Sequence, residues 1–141
     1  MVSIQKIIDS VEEVFNGTMS KRGTYKKFVL TQKSRQRDYV QARCIYTALG
    51  LKYTDLSKSE MGRIINKNHA TIIHYSKIFK NDIKFDRDLE IKYLKVEKII
   101  LNFMHHESNA DLLQQIDLEI KELLNKKRRI ISEQEISTTN Y

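Results

Sequence analysis

Five consecutive residues, Lys67-Asn68-His69-Ala70-Thr71, hold between them the chemistry needed to read a base pair. The Asn68 carboxamide could pair with adenine or with a phosphate, and the His69 ring could donate to a base acceptor or a phosphate. Ala70 and the Thr71 methyl are small apolar surfaces of the kind that pack on a thymine methyl. Lys67 supplies charge, with His74 close by. The elements that must present these groups can be read from their neighbours. Ser57 followed three residues later by Glu60 is a capping box, so a helix should begin there, with Met61, Ile64 and Ile65 on its apolar side. Asn66-Lys67-Asn68 can turn the chain sharply, and Asn68 suits the cap of a second helix over 69–80. That helix would turn Ile72, Tyr75 or Ser76, and Phe79 inward. Two short helices joined this way make a helix-turn-helix, whose second helix enters the major groove by its amino-terminal end. On periodicity and capping alone, a small helical hairpin with a solvated end remains the competing reading.

The string KNHATIIHYSK resembles the signature of the carboxy-terminal DNA-binding domain of the DnaA family of bacterial replication initiators. There the order is a basic residue, Asp, His, Thr, Thr, two aliphatics and His; Lys67, His69, Thr71, Ile72, Ile73 and His74 match it. Ser57, Glu60 and Gly62 match in the preceding helix. Tyr39-Val40-Gln41-Ala42-Arg43 resembles the family's lead-in helix and SIQKIIDSVEEVF its first, so the resemblance spans about residues 1–80. Three departures touch the reading surface: Asn68 in place of Asp, Ala70 in place of the first Thr, and a shorter Asn66-Lys67 in place of the Gly-Gly of the turn. Phosphate contacts position such a domain while base contacts specify the site, so DNA binding survives these changes more easily than the family's own recognition sequence does. The resemblance further implies that a basic loop before the lead-in helix lies along the backbone and dips an arginine into the minor groove. Thr31–Arg37 stands at that place. It is basic and free of apolar residues, though in isolation it reads as a solvated loop. Lys33, Arg35 and Arg37 thereby become candidates for backbone or minor-groove contacts. Arg43, facing outward or toward a phosphate, Ser57, Lys58 and His74 join them, and Lys67, Asn68, His69, Ala70 and Thr71 are the candidate base readers.

Composition agrees with helices. The 141 residues include no proline and four glycines, and a 40% hydrophobic content suffices for a modest core. Ser3 can cap a helix over 4–15 whose apolar stripe is Ile4, Ile7, Ile8, Val11, Val14 and Phe15. Asn16–Thr24 reads as a loop. Its GTMSKRGT does not meet the needs of a P-loop, which places Lys and Ser/Thr after the last glycine; here Thr24 and Tyr25 follow Gly23. Tyr25–Leu30 reads as a short helix and Asp38–Leu49 as a longer one closed by Gly50 in a left-handed cap. Tyr46 and Tyr53 read as core. The single cysteine, Cys44, excludes an internal disulfide and reads as a small buried hydrophobe.

Charge is unevenly placed. Residues 1–80 hold 15 Lys+Arg against 6 Asp+Glu, whereas 81–141 hold 10 against 12. The basic excess coincides with the helix-turn-helix, as expected of a partner for a polyanion. No long apolar run or lipidation signal points to a membrane, and no secretory signal precedes the first helix. A cytoplasmic setting, in a bacterium or in the host of a phage, is therefore expected.

Beyond residue 80 the pattern changes. Ile91, Tyr93, Leu94, Val96, Ile99, Ile100 and Phe103 define a helix over 87–104, followed by His105-His106, a pair without a further ligand at helical spacing. A last helix over Asn109–Ile131 carries Leu113, Ile116, Ile120, Leu123, Lys127 and Ile130 at coiled-coil spacing. It could pair with a second copy as a homodimer or fold back on 87–104 as a hairpin. Lys126-Lys127-Arg128-Arg129 could touch DNA but reads first as a solvated helix end, and Ser132–Tyr141 reads as a loose tail.

The expectation is an all-α protein. Residues 1–80 form a DnaA-like helix-turn-helix domain, 81–131 a helical extension and 132–141 a tail. It would bind double-stranded DNA as a transcription regulator or a replication accessory protein, suited to a small phage or plasmid-type genome. The resembled family carries its ATPase in a separate large domain without counterpart in these 141 residues, so ATP-driven origin opening is not expected. No cofactor, metal or small-molecule substrate is implied, and no catalytic constellation stands out, so an enzyme is the weakest reading. The rival is a structural or adaptor protein that binds nucleic acid without reading sequence.

Overall fold

Ser3 starts the chain's first helix by accepting a hydrogen bond from the Lys6 amide at 3.2 Å. The structure, a computed structural model, describes residues 2–21 and 27–139, with the backbone alone at 18–21 and 136–139. All regular structure among the described residues is helical: α1 (Ile4–Lys21), α2 (Arg37–Tyr53), α3 (Lys58–Ile64), α4 (His69–Asp82) and α5 (Arg87–Thr139).

Helix α1 buries Ile7, Ile8, Val11 and Phe15, with Ile4 and Val14 packed at the margin. It outruns the expected end at Phe15. Asn16 turns its side chain away from its own backbone and onto Phe28, accepting from the Phe28 amide at 2.6 Å, so it does not break the helix. The short helix expected over Tyr25–Leu30 is not found in its described part. Residues 27–29 are irregular, and Phe28 and Leu30 are buried while Lys27 and Val29 are exposed. Burial at every second residue suits a chain laid across the core, not a helix. Phe28 stacks between Phe15 and Tyr39, with centroids at 5.2 and 4.5 Å. The glycine-bearing stretch that raised the P-loop question lies, at residues 22–24, outside the described residues, as does Tyr25.

Helix α2 is the central rod, buried on nearly every side by Tyr39, Ala42, Cys44, Ile45, Tyr46 and Leu49 among others. Gly50 does not end it in a left-handed cap. The helix continues to Tyr53, and the bare Gly50 backbone admits the Met61 side chain, whose Cε would stand 2.3 Å from any added Cβ. Tyr46 is core, as expected, and its hydroxyl ties α2 to α3 by donating to the Met61 carbonyl at 2.9 Å.

The beginning of α5 belongs to the same compact unit, which ends at Met104. Asp86 caps it by accepting from the Leu89 amide at 3.2 Å, and also receives Arg37 at 3.1 Å and Gln41 at 3.4 Å. Leu89, Val96 and Ile100 are buried, and Phe79 of α4 lies 5.0 Å from the Tyr93 ring. Lys92, 4% exposed, donates to Gln41 and Asp88 at 3.0 Å each and to Asp38 at 3.5 Å. A buried ammonium is tolerable only with partners of this kind. Glu97 accepts from Lys52, Tyr53 and Tyr93 within 3.1 Å.

The second unit, His105–Tyr141, is helical through Thr139. The two helices expected over 87–104 and 109–131 are one, so the turn on which a hairpin would depend is not formed, and the expected loose tail is helical to Thr139. No proline or glycine lies within Arg87–Thr139 to stop the helix. His105 and His106 have ring centroids 6.2 Å apart, with His105 Nε2 3.2 Å from the Asn109 carboxamide. None of the described helices is long and apolar enough to cross a membrane.

Candidate nucleic-acid interface

The turn between α3 and α4 sets the site. The expected capping box is present: the Ser57 hydroxyl accepts from the Glu60 amide at 3.2 Å, while the Ser57 amide donates to the Glu60 carboxylate at 3.4 Å. Met61 and Ile65 of this segment are buried as expected, but Ile64 is 38% exposed. Asn66 then adopts φ 59°, the left-handed conformation that asparagine tolerates best after glycine. Asn66 can thus supply the left-handed turn conformation that a glycine would otherwise provide. The turn closes when the Lys67 amide donates to the Gly62 carbonyl at 2.7 Å. Gly62 must be bare here, because an added Cβ would lie 2.7 Å from the Lys67 carbonyl oxygen and 3.1 Å from that of Asn68.

Asn68 caps α4 as expected. Its Oδ1 accepts from the Thr71 amide at 2.8 Å and from the Thr71 hydroxyl at 2.9 Å. A two-pronged pairing with adenine needs that same oxygen as acceptor, so only the Nδ2 donor remains for a base or a phosphate. Asn68, His69 and Ala70 are exposed, and Lys67 and Thr71 are half-buried. Ile72 and Tyr75 point inward, as expected. His69 Nδ1 lies 3.2 Å from the Ser59 hydroxyl. This contact orients the ring and leaves Nε2 facing away. Ser59 was not among the residues expected at the site; its position two residues after the cap was the one available signal.

Arg43 corrects the sequence reading. It is 2% exposed and so does not face outward, although it lines the groove between the basic loop and α4. From α2 its guanidinium reaches under the basic loop and donates to the carbonyls of Leu30 at 3.3 Å, Ser34 at 2.7 Å and Gln32. Tyr39 fastens the same loop from beside it, its hydroxyl donating to Gln32 Oε1 at 2.9 Å. Five fixed donors on a planar fork are what allow one side chain to hold three carbonyls. Held this way, the loop presents Lys33 and Arg35 outward, both exposed.

The loop and α4 together wall an open groove of about 770 Å³. Lys33, Arg35, Lys67, Thr71 and His74 line it, over a floor that includes Tyr75. Other expected contact residues lie elsewhere. Arg37 is the first residue of α2 and is paired with Asp86, though its side chain stays 71% exposed. Ser57 is exposed at the start of α3, and Lys58 lines a separate cleft with Leu51, Lys52 and Ser76.

A family model described as bacterial dnaA protein helix-turn-helix matches residues 4–78, which takes in α1, α2, α3 and most of α4. The chain belongs to the DnaA helix-turn-helix family. Among its relatives, the chromosomal replication initiator protein DnaA of Bacteroides thetaiotaomicron is 39% identical over 69 residues, covering 48% of this chain and 15% of that protein. The DnaA of Bacteroides fragilis is 29% identical over 92 residues, covering 64% and 19%. That of Porphyromonas gingivalis is 28% identical over 102 residues, covering 72% and 20%. The chain thus spans about a fifth or less of the length of the DnaA proteins it matches. The family-model match ends before α5, whereas the 102-residue alignment with the Porphyromonas gingivalis protein is long enough to extend into it, and the groove between the basic loop and α4 lies wholly within the family-model match.

Proposed function

We propose that this chain binds double-stranded DNA, with the start of α4 in the major groove and the Lys33–Arg35 loop against the neighbouring minor groove. The observation that carries the reading is the convergence of Lys33, Arg35, Lys67, Thr71 and His74 on one open groove. Two segments far apart in sequence supply cations to the same concave surface, which suits a phosphate strand running between them. His69 and Ala70, exposed at the tip of α4, are the residues left to read bases, with Asn68 Nδ2 beside them. Membership of the DnaA helix-turn-helix family supports the same docking.

The chain acts as a transcription regulator or a replication accessory protein, and the symmetry of its target separates the two. Selection from random duplex DNA at physiological salt, followed by sequencing, should enrich one motif. A two-fold symmetric motif indicates an operator bound by a homodimer, and a direct-repeat array indicates a replication role. Equal retention of all sequences would replace this reading with non-specific packing on nucleic acid. On the selected site, His69→Ala should weaken binding by about 1–3 kcal/mol while leaving non-specific affinity unchanged. A mobility-shift titration showing the same loss on unrelated duplexes would make His69 a phosphate contact instead.

A further inference from the structure

In the second unit, Leu113, Ile116, Ile120 and Leu123 form one stripe along α5 and are 62, 43, 49 and 67% exposed. Leu112, Leu124 and Ile131 widen the stripe on its flanks and are similarly exposed. We propose that a second copy of this chain covers this face, the two helices pairing antiparallel with Ile120 of one against Leu123 of the other.

The charges choose the direction. In a parallel, in-register pair each seam residue meets its own counterpart, which sets Lys127 against Lys127 inside the seam. The flanking positions would then match Glu119 with Leu124 and Lys126 with Ile131, so no flanking charge finds an opposite charge. Reversing one helix changes every pairing. Leu113 meets Ile130, Ile116 meets Lys127 and Ile120 meets Leu123, each occurring twice by symmetry. Lys127 then lays its aliphatic stem over Ile116 and carries its ammonium to the rim. Glu119 comes beside Lys126 of the second copy, again twice. This register also sets residue 105 opposite residue 138, so the whole described length of the second unit is matched with itself. The inference stands on the second unit alone and does not require that the first bind DNA.

The test uses full-length chains carrying Ile120→Cys or Leu123→Cys, mixed and gently oxidised. Cys44, 1% exposed, does not compete. The mixed disulfide should dominate over either self-cross-linked product. Self-cross-linking of each variant, as a parallel pair requires, overturns the proposal, and so does a monomeric mass by sedimentation with no cross-link at all. Charge reversal gives a second measure on a surface change that leaves helix propensity intact. Glu119→Lys should raise the dimer dissociation constant about tenfold, and Glu119→Lys with Lys126→Glu should restore it. An unchanged constant in the single variant, or no recovery in the double one, counts against the antiparallel register. Mobility shifts on the same variants report separately on DNA binding.

Discussion

Arg43 shows how one side chain can serve a nucleic-acid surface from beneath it. Its buried guanidinium replaces water with three carbonyls of the 30–34 segment, so losing the fork leaves one buried and two part-buried acceptors without this partner. Arg43→Lys keeps the charge but cannot span the three acceptors. Urea unfolding should show a loss of about 2–3 kcal/mol. DNA affinity should fall by a similar factor on every sequence, because Lys33 and Arg35 lose their fixed presentation. A phosphate contact would instead leave stability unchanged. Gly62 is the second residue whose type is dictated by its surroundings. The atoms facing its missing side chain are backbone carbonyls and cannot swing aside, so Gly62→Ala should cost about 2 kcal/mol in the same assay. Gly50 faces side-chain ends, those of Met61 and Ile4, and should tolerate the change better.

At the scale of elements, the docking of α5 on α2 rests on carboxylates. Asp86 is held below the ordinary carboxylate range by the Leu89 amide, with Arg37 adding to the effect against the opposing influence of burial. For Glu97 burial pushes upward, but Lys52 and the hydroxyls of Tyr93 and Tyr53 outweigh it and leave the group lowered. Groups that titrate lower when folded contribute stability that is complete above the ordinary carboxylate range. It is lost as pH falls through their depressed values. Thermal melts between pH 7 and pH 3 should therefore show the wild-type midpoint falling in acid, and Glu97→Gln should start lower and fall less steeply. An identical slope in the two proteins would remove Glu97 from this role. The helices themselves were largely legible in the sequence. The capping box at Ser57, the Asn68 cap and the apolar stripes of α1 and α4 are local signals, and all appear where expected. Where local signals misled, a packing partner decided: Asn16 bound Phe28, Met61 filled the space over Gly50, and Phe28 and Leu30 drew their segment into the core.

Across the whole molecule, the basic surplus is confined to residues 1–80, with 15 Lys+Arg against 6 Asp+Glu. Binding through the groove should accordingly be salt-sensitive. If Lys33, Arg35 and Lys67 each neutralise one phosphate, the logarithm of affinity should fall against the logarithm of salt with a slope of about −3 or steeper. Lys33→Ala with Arg35→Ala should flatten that slope by roughly 2. A slope unchanged by the double substitution would place the phosphate strand elsewhere.

By itself the sequence determined the helical class, the two caps that frame the helix-turn-helix, the family and the residues exposed at the tip of α4. These follow from periodicity, local hydrogen bonding and motif, each contained within a few neighbouring positions. Tertiary structure alone decided that Arg43 supports the basic loop from below, that Asn68 Oδ1 is engaged by Thr71, and that Lys92 is buried among acceptors from α2 and α5. Each of these depends on which groups meet across the fold, and a polar side chain's role is set by the partner that replaces its water. No spacing along the chain records that partner.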